Sequence, residues 1–264
     1  MLDLGCGRGS FHYELYQCGI VAIDLNINRG DRRAGISYIC SDSKHIPLAD
    51  RSVDAVVCHH TLEHFENYQQ VLREIARILK DRAVLWIAVP NGRSFDDALY
   101  RLVFEGGGHV NRFTRTGLIA DVENMTRLRL IECVDLFSSF IYLKRPTEEQ
   151  YRGFPRTARV LMHIPPEVNT AGVLTLNAAT RIIDKVAGSR TSQYGWAFLF
   201  GTEGIRVNPL DGPCFNVCSN CGTGNASAEL KVRGLVKSVL GLGFYKCMFC
   251  DQLNSFVKPP RSVG

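Results

Sequence analysis

Met1-Leu2-Asp3-Leu4-Gly5-Cys6-Gly7-Arg8-Gly9 is the stretch that decides the fold. A short apolar run ends in an acid and enters a loop with glycine at every second position. Phe11, Leu15 and Tyr16 then follow at helical spacing. The pattern predicts a strand, a tight glycine turn and a helix. Glycines at 5, 7 and 9 let the backbone turn sharply and approach a ligand closely, where a Cβ would collide. The third glycine comes one residue too early for the G-x-G-x-x-G dinucleotide fingerprint, so a pyrophosphate on the helix N-terminus is not the expected ligand.

Working outward, short apolar strands alternate with helical patterns, the arrangement of a parallel sheet covered on both faces. Strands are expected at 20–25, 37–40, 53–58 and 83–89. Between the last two, Leu62, Phe65, Leu72, Ile75, Ala76 and Leu79 mark one face of a helix over 61–80 with Thr61 as its N-cap. A helix over 114–126, a strand over 128–143, an irregular stretch over 145–166, a helix over 169–186 and a strand over 194–200 complete the count. Pro209-Leu210-Asp211-Gly212-Pro213 then reads as a linker. The expected organisation is an α/β domain over 1–207, a linker over 208–213 and a cysteine-rich module over 214–264.

The 264 residues suffice for one ordinary α/β domain with a small appendage, and an apolar content of 45% supports a normal core. Thirty-one Lys and Arg against 26 acids give +5, too small an excess to name nucleic acid as a partner. No apolar run approaches the roughly 20 residues of a membrane span, and no signal-peptide pattern is visible. Cys6, Cys18, Cys40, Cys58 and Cys133 fall singly, as buried small hydrophobes do, while the other five of the ten cysteines crowd between Cys214 and Cys250. This usage fits a reducing, cytoplasmic setting with a metal site better than a disulfide scaffold.

The run LDLGCGRG resembles motif I of the class I S-adenosylmethionine-dependent methyltransferases, and later segments agree with it in order and spacing. Asp24 stands where the family has an acid that accepts from both ribose hydroxyls of S-adenosylmethionine, a natural role for a carboxylate facing a vicinal diol. Asp42 in Cys40-Ser41-Asp42-Ser43, followed by Ile46-Pro47-Leu48, resembles the adenine-contacting segment. Asp3 corresponds to the motif I acid near the methionine end. The segments Arg73-Glu74-Ile75-Ala76-Arg77-Ile78-Leu79-Lys80 and Ala88-Val89-Pro90-Asn91-Gly92 match the helix and strand that follow. The likeness is close over residues 1 to 140 and loose over 141 to 207. It implies a Rossmann-like seven-stranded sheet whose last two strands form an antiparallel pair, and a cofactor held by Asp3, Gly5, Gly7, Gly9, Asp24, Asp42 and Ser43. The helix that usually precedes the first strand is missing, so a late start or a fragment is expected, with an unusually open cofactor site as the remaining alternative. Asp81-Arg82 replaces a usual glycine pair, at what is expected to be a surface turn.

On the acceptor side the fourth strand runs into Cys58-His59-His60-Thr61-Leu62-Glu63-His64-Phe65. An Asn-Pro-Pro-aromatic sequence is absent there, which argues against amino-methylation of adenine or cytosine. Leu-Glu-His-Phe resembles small-molecule methyltransferases of quinone and sugar biosynthesis. Gly106-Gly107-Gly108-His109-Val110-Asn111-Arg112-Phe113-Thr114 resembles the segment that covers the substrate in relatives. A hydroxyl acceptor needs a base near neutral pH, and His64, His60 and His109 are the candidates. A divalent ion held by Glu63, His64 and His109 is the alternative; it resembles the metal-dependent small-RNA 2′-O-methyltransferases, whose first acid is His60 here.

In the C-terminal module Cys218-Ser219-Asn220-Cys221 and Cys247-Met248-Phe249-Cys250 are two C-x-x-C knuckles 25 residues apart. They predict a four-cysteine zinc site, and the module resembles zinc ribbons. Val232, Leu235, Val236, Val239 and Leu240 predict a helix whose apolar stripe is buried. The module carries six basic and two acidic residues. Four thiolates on zinc bring the local charge to only about +2, so RNA binding is not indicated. The expected activity is methylation, at oxygen, of a small-molecule, lipid-linked or glycan-like acceptor. An RNA methyltransferase using the zinc module, and a non-catalytic scaffold of the same fold, are the alternatives.

Overall fold

The computed structural model describes residues 1–11, 13–27, 30, 32–144, 153–205, 215–218, 223–239 and 241–256. β1 (Leu2–Leu4), β2 (Ile20–Asp24), β3 (Ile36–Cys40), β4 (Val53–His59), β5 (Leu79–Pro90), β6 (Arg129–Phe137) and β7 (Gln193–Gly201) form one seven-stranded sheet in the order β3-β2-β1-β4-β5-β7-β6. The ladders from β3 through β5 are parallel, and β7 runs antiparallel to β5. This is the Rossmann-like architecture expected from the sequence. The chain builds outward from β1 to β3 and then returns to place β4 on the other side of β1. The strand order reverses there, and in open α/β sheets that position gathers ligands at the carboxyl ends of the strands.

The core follows from composition. β1 is buried along its whole length, and Leu2, Leu4, Ile23, Val56, Leu85, Ile87, Phe198 and Phe200 belong to one apolar cluster. Helix α1 (Tyr68–Ile78) buries Val71, Leu72, Ile75 and Ile78, at the i, i+4, i+7 spacing of a single face. Helix α3 (Arg115–Met125), capped by Thr114, buries Leu118 and Val122.

Several expectations are corrected. The segment after the glycine loop forms only a 3₁₀ turn, Tyr13–Leu15, among its described residues. Thr61 does not cap a long helix: His60 turns left-handed at φ 51°, Leu62–His64 is a 3₁₀ turn, and Phe65 is extended. The true cap of α1 is Asn67, whose side chain accepts from the Gln70 N–H at 3.2 Å. Asp81 and Arg82 lie in β5, not in a turn; α1 passes directly into the strand, and the β4–β5 ladder jumps from Val53–Leu79 to Ala55–Val84 across them. The strand expected over 128–143 stops at Phe137, and Phe140 takes up a left-handed conformation before a 3₁₀ turn. Cys6 and Cys58 are buried as expected, but Cys18 and Cys40 are exposed.

The chain divides into two compact units. The first comprises Met1–Arg93, Gly108–Leu136 and Gly195–Val207, and the second Ser94–Gly107, Phe137–Tyr194 and Asn208–Gly264. Within the second, helix α2 (Phe95–Val103) was not expected. Ser94 caps it, accepting from the Asp97 N–H, and Asp96 and Asp97 occupy its first turn. A long helix, Pro166–Ala187, starts on proline and ends at Gly188 in the left-handed region.

The same unit carries a hairpin of β8 (Phe215–Val217) and β9 (Gly224–Ala226), a short helix Ser227–Val232, and a sheet of β10 (Val236–Val239), β11 (Leu242–Lys246) and β12 (Leu253–Ser255). Of the helix expected across Val232–Leu240, the described residues Val236–Val239 are instead strand. Gly234 at φ 64° ends the short helix, and the expected buried stripe is open at Val232 and Val239. Leu230, Tyr245 and Phe256 form the apolar centre instead, together with Cys218 and Cys247.

Candidate active site

Because β2, β1, β4 and β5 are parallel neighbours, their carboxyl ends share one edge of the sheet. The glycine loop follows β1, Asp24 ends β2, the histidine segment follows β4, and residues 91–113 follow β5. Sequence-distant residues thus meet for a topological reason.

Gly5, Gly7 and Gly9 all have positive φ, but they serve different purposes. A Cβ on Gly5 would land on the Thr61 methyl group, so this glycine admits the segment after β4. A Cβ on Gly7 would meet nothing within 4 Å, so the loop there borders open space. At Gly9 the nearest group is the Arg33 guanidinium. The Gly7 N–H donates to Asp24 Oδ2 at 2.8 Å, and the Asn26 N–H donates to Oδ1 at 3.0 Å. Each carboxylate oxygen has a second acceptor site left for a diol.

Asp3 is fully buried. Its Oδ2 accepts from the Ser10 N–H and the Tyr13 hydroxyl, while Oδ1 is buried with no partner. Burial raises its pKa above the usual carboxylate range, against the lowering effect of the Ser10 and Tyr13 hydrogen bonds. An orphaned carboxylate oxygen beside the glycine loop suits the ammonium end of an amino-acid-bearing cofactor. Asp42 accepts from the Lys44 N–H at 2.9 Å and pairs with Lys44 Nζ at 3.3 Å. Ser43 next to it is buried. The segment that follows is tied to α1: the Ile46 N–H donates to Glu74 Oε2, and Arg77 donates to the carbonyls of Ile46 and Leu48. The Arg77 guanidinium holds the Glu74 carboxyl below its usual range.

The acceptor side is built around the 3₁₀ turn Leu62–His64. Thr61 Oγ1 donates to the carbonyls of Gly5 and His59, at 3.2 and 3.1 Å, which fixes this turn against the glycine loop. The loop after β5 is joined to the same turn. The N–H groups of Val110 and Asn111 donate to the Glu63 carbonyl, and Asn111 Nδ2 donates to the carbonyls of Leu62 and Phe65. His64 and His109 therefore face each other with ring centres 4.9 Å apart. His64 Nδ1 lies 3.0 Å from the Gly108 carbonyl. A carbonyl only accepts, so Nδ1 carries a proton, which in the neutral ring leaves the lone pair on Nε2. His60 Nδ1 lies 3.5 Å from Glu63 Oε1. His59, which sequence reasoning passed over, has its pKa pushed down to about 4, chiefly by burial and secondarily by His60. Thr61 and Asn111 were also missed; nothing local in the sequence marks either as a bridge.

In the cysteine module the described thiols of Cys218, Cys247 and Cys250 converge, with their sulfurs within 4.8 Å of one another. Cys221, Cys214 and the linker over 208–213 lie outside the described residues. Cys218 Sγ and Cys250 Sγ are 3.6 Å apart, far beyond a covalent S–S bond of about 2.05 Å. The Phe249 N–H donates to Cys247 Sγ at 3.5 Å and Asn254 Nδ2 to Cys218 Sγ at 3.4 Å.

The family described as methyltransferase domain matches residues 2–87, the stretch that carries the glycine turn after β1 and the acid at the end of β2. The chain is 36% identical over 92 residues to an uncharacterized protein of Methanocaldococcus jannaschii, covering 34% of this chain and 40% of that one. It is 34% identical over 92 residues to a demethylmenaquinone methyltransferase of Corynebacterium urealyticum, covering 33% and 40%. A malonyl-[acyl-carrier protein] O-methyltransferase of Yersinia pestis is 28% identical over 121 residues, 43% of this chain and 45% of that one. The match thus spans about two fifths of the length of these curated relatives. Among solved structures, an S-adenosylmethionine-dependent methyltransferase from Archaeoglobus fulgidus superposes with a TM-score of 0.49 at 17% identity, over 76% of this chain and 85% of that one. Among the described residues, no helix is long and apolar enough to cross a membrane.

Proposed function

We propose that the protein methylates an oxygen of a small-molecule, lipid-linked or glycan-like acceptor, using S-adenosylmethionine as donor. The observation that carries this reading is the shared sheet edge. Asp3, the glycine loop and Asp24 form a donor cradle, and His60, His64 and His109 stand beside it, tied to it through Thr61. Asp24 would hold the ribose diol, Asp3 the methionine end, and Asp42 with Ser43 the adenine. S-adenosylmethionine supplies a methyl group already activated on a sulfonium, so the chain's task is alignment and proton removal. The His64 Nε2 lone pair is the group placed to activate an acceptor hydroxyl. Relatives that bear the names demethylmenaquinone methyltransferase and malonyl-[acyl-carrier protein] O-methyltransferase support a small-molecule acceptor.

Calorimetry with S-adenosylmethionine tests the donor site. Asp24→Ala should weaken binding by about 1.5–3 kcal/mol, the range for a charge-assisted hydrogen bond. Unchanged affinity would overturn the ribose assignment. His64→Ala should lower turnover about 100-fold while donor binding survives.

We also read Cys218, Cys221, Cys247 and Cys250 as the ligands of one structural zinc ion in a module over 214–264. The carrying observation is three converging sulfurs with N–H donors aimed at two of them. Zinc there would supply a cross-link that a module of this size cannot obtain from apolar burial alone.

A further inference from the structure

We propose that the outward face of helix α2, with the adjoining segment Arg156–Val160, docks the protein on an anionic lipid surface. The inference rests on the methyltransferase reading and deepens it, selecting the lipid-linked class among its acceptors.

Helix α2 is turned inside out. Its buried residues are Asp96 and Asp97, while Phe95, Ala98 and Leu102 are exposed at the i, i+3, i+7 spacing of one face. Leu102 is 73% exposed and Phe95 44%. A lone exposed leucine needs no explanation, but an apolar stripe opposite two buried carboxylates does. The helix cannot roll to hide that stripe. The Asp97 N–H is held by the Ser94 cap at 3.0 Å, and the Asp97 carboxylate pairs with Arg101 Nε at 2.6 Å on the inner side. The Tyr142 hydroxyl donates to the Asp96 carbonyl.

Cations stand at the end of the stripe. Thr157 Oγ1 donates to the Val103 carbonyl at 2.6 Å, which joins the short helix Arg156–Arg159 to the C-terminal end of α2 within the second compact unit. The short helix buries Ala158 and leaves Arg156, Arg159 and the following Val160 open to solvent, Val160 at 58%. Arg156 has no acidic partner among the described residues. Glu105, the acid at this joint, accepts from the Thr157 N–H at 3.5 Å. Apolar side chains bordered by guanidiniums match a bilayer interface with anionic head groups. The former enter the acyl boundary and the latter meet the phosphates. A second copy on the same face would bring these guanidiniums toward their own counterparts, which disfavours self-association there. The position of α2 in the chain gives docking a purpose. It lies in the connection from β5 to His109, so a lipid-linked acceptor is met by the same connection that carries a candidate histidine.

The test is sedimentation of the full chain with phosphatidylcholine vesicles and with mixed phosphatidylcholine–phosphatidylglycerol vesicles. The wild type should bind the mixed vesicles about 10-fold or more tightly than the neutral ones. Arg156→Gln should reduce that preference about 5-fold, and Leu102→Gln should weaken binding to both vesicles about 10-fold. Both side chains are exposed, so both variants should fold, as circular dichroism would verify. Absence of wild-type binding to either vesicle, or binding unchanged in both variants, would overturn the proposal. So would a dimer that Leu102→Gln dissociates in a protein that ignores vesicles, which would assign the face to a second copy. Calorimetry with S-adenosylmethionine on the same samples separates the two readings. Vesicle binding without donor binding sinks the methyltransferase reading and leaves the docking face standing; donor binding without vesicle binding does the reverse.

Discussion

His59 occupies the last position of β4, where burial and the adjacent His60 ring both disfavour a second positive charge. Its pKa of about 4, against 6.5 for a free histidine, has a definite consequence for stability. Above pH 6.5 the ring is neutral in both folded and unfolded chains. As pH falls from 6.5 toward 4, the unfolded chain takes up a proton that the folded chain refuses, so stability is lost through that window. At pH 5 the loss amounts to about 2 kcal/mol relative to neutral pH. In His59→Gln that part of the pH dependence should vanish, as read from urea unfolding at pH 7.5 and pH 5.0. An unchanged difference between the two pH values would show that the ring is not buried neutral.

At the scale of elements, the decisive contact is between the β1 loop and the turn after β4. Gly5 sits at φ 70°, where a side chain costs about 1–2 kcal/mol, and its Cβ would strike the Thr61 methyl. Gly5→Ala should therefore lower the melting temperature and weaken donor binding. Adding Thr61→Ser, which removes the struck methyl, should recover part of the loss but not the backbone strain. A double variant no better than Gly5→Ala would show that Thr61 is not the obstacle.

What was legible in the sequence follows the same division. The strands and the glycine loop announced themselves, since each is a local pattern of apolar residues or φ-permissive glycines. The start of α1 did not. Thr61 looks like a cap by type, yet the left-handed turn at His60 hands that role to Asn67. The Ser94-x-x-Asp97 capping pattern of α2 was there to be read. Val232 to Leu240 has helical spacing, but Gly234 stops the helix and the pairing with β11 makes a strand. The convergence of Glu63 with His109 could be named from sequence only as an alternative, because it depends on β4 and β5 ending at the same edge.

For the whole molecule, the zinc reading makes a separable prediction. Metal analysis should find one tightly held zinc per chain, and Cys247→Ser should lose it. The module's apolar centre includes Cys218 and Cys247 themselves, so losing the metal should open it to protease beyond residue 213. The sheet core shares no residue with that cluster and should keep its protection. Proteolysis that degrades both together would refute this independence.

The strand order also sets a timetable for the ribosome. β7 lies between β5 and β6, yet it is translated last, about a hundred residues after β5. At about 5–20 residues per second, the emerging chain exposes the outer edge of β5 for roughly 5–20 s before its proper neighbour exists. The inner end of that edge is Val84-Leu85-Trp86-Ile87-Ala88-Val89, an uncharged, apolar template for any passing strand. β6 emerges first and is the nearest wrong partner. Newly made protein is thus most vulnerable to mispairing in that interval, and slow translation through residues 91–192 would lengthen the hazard.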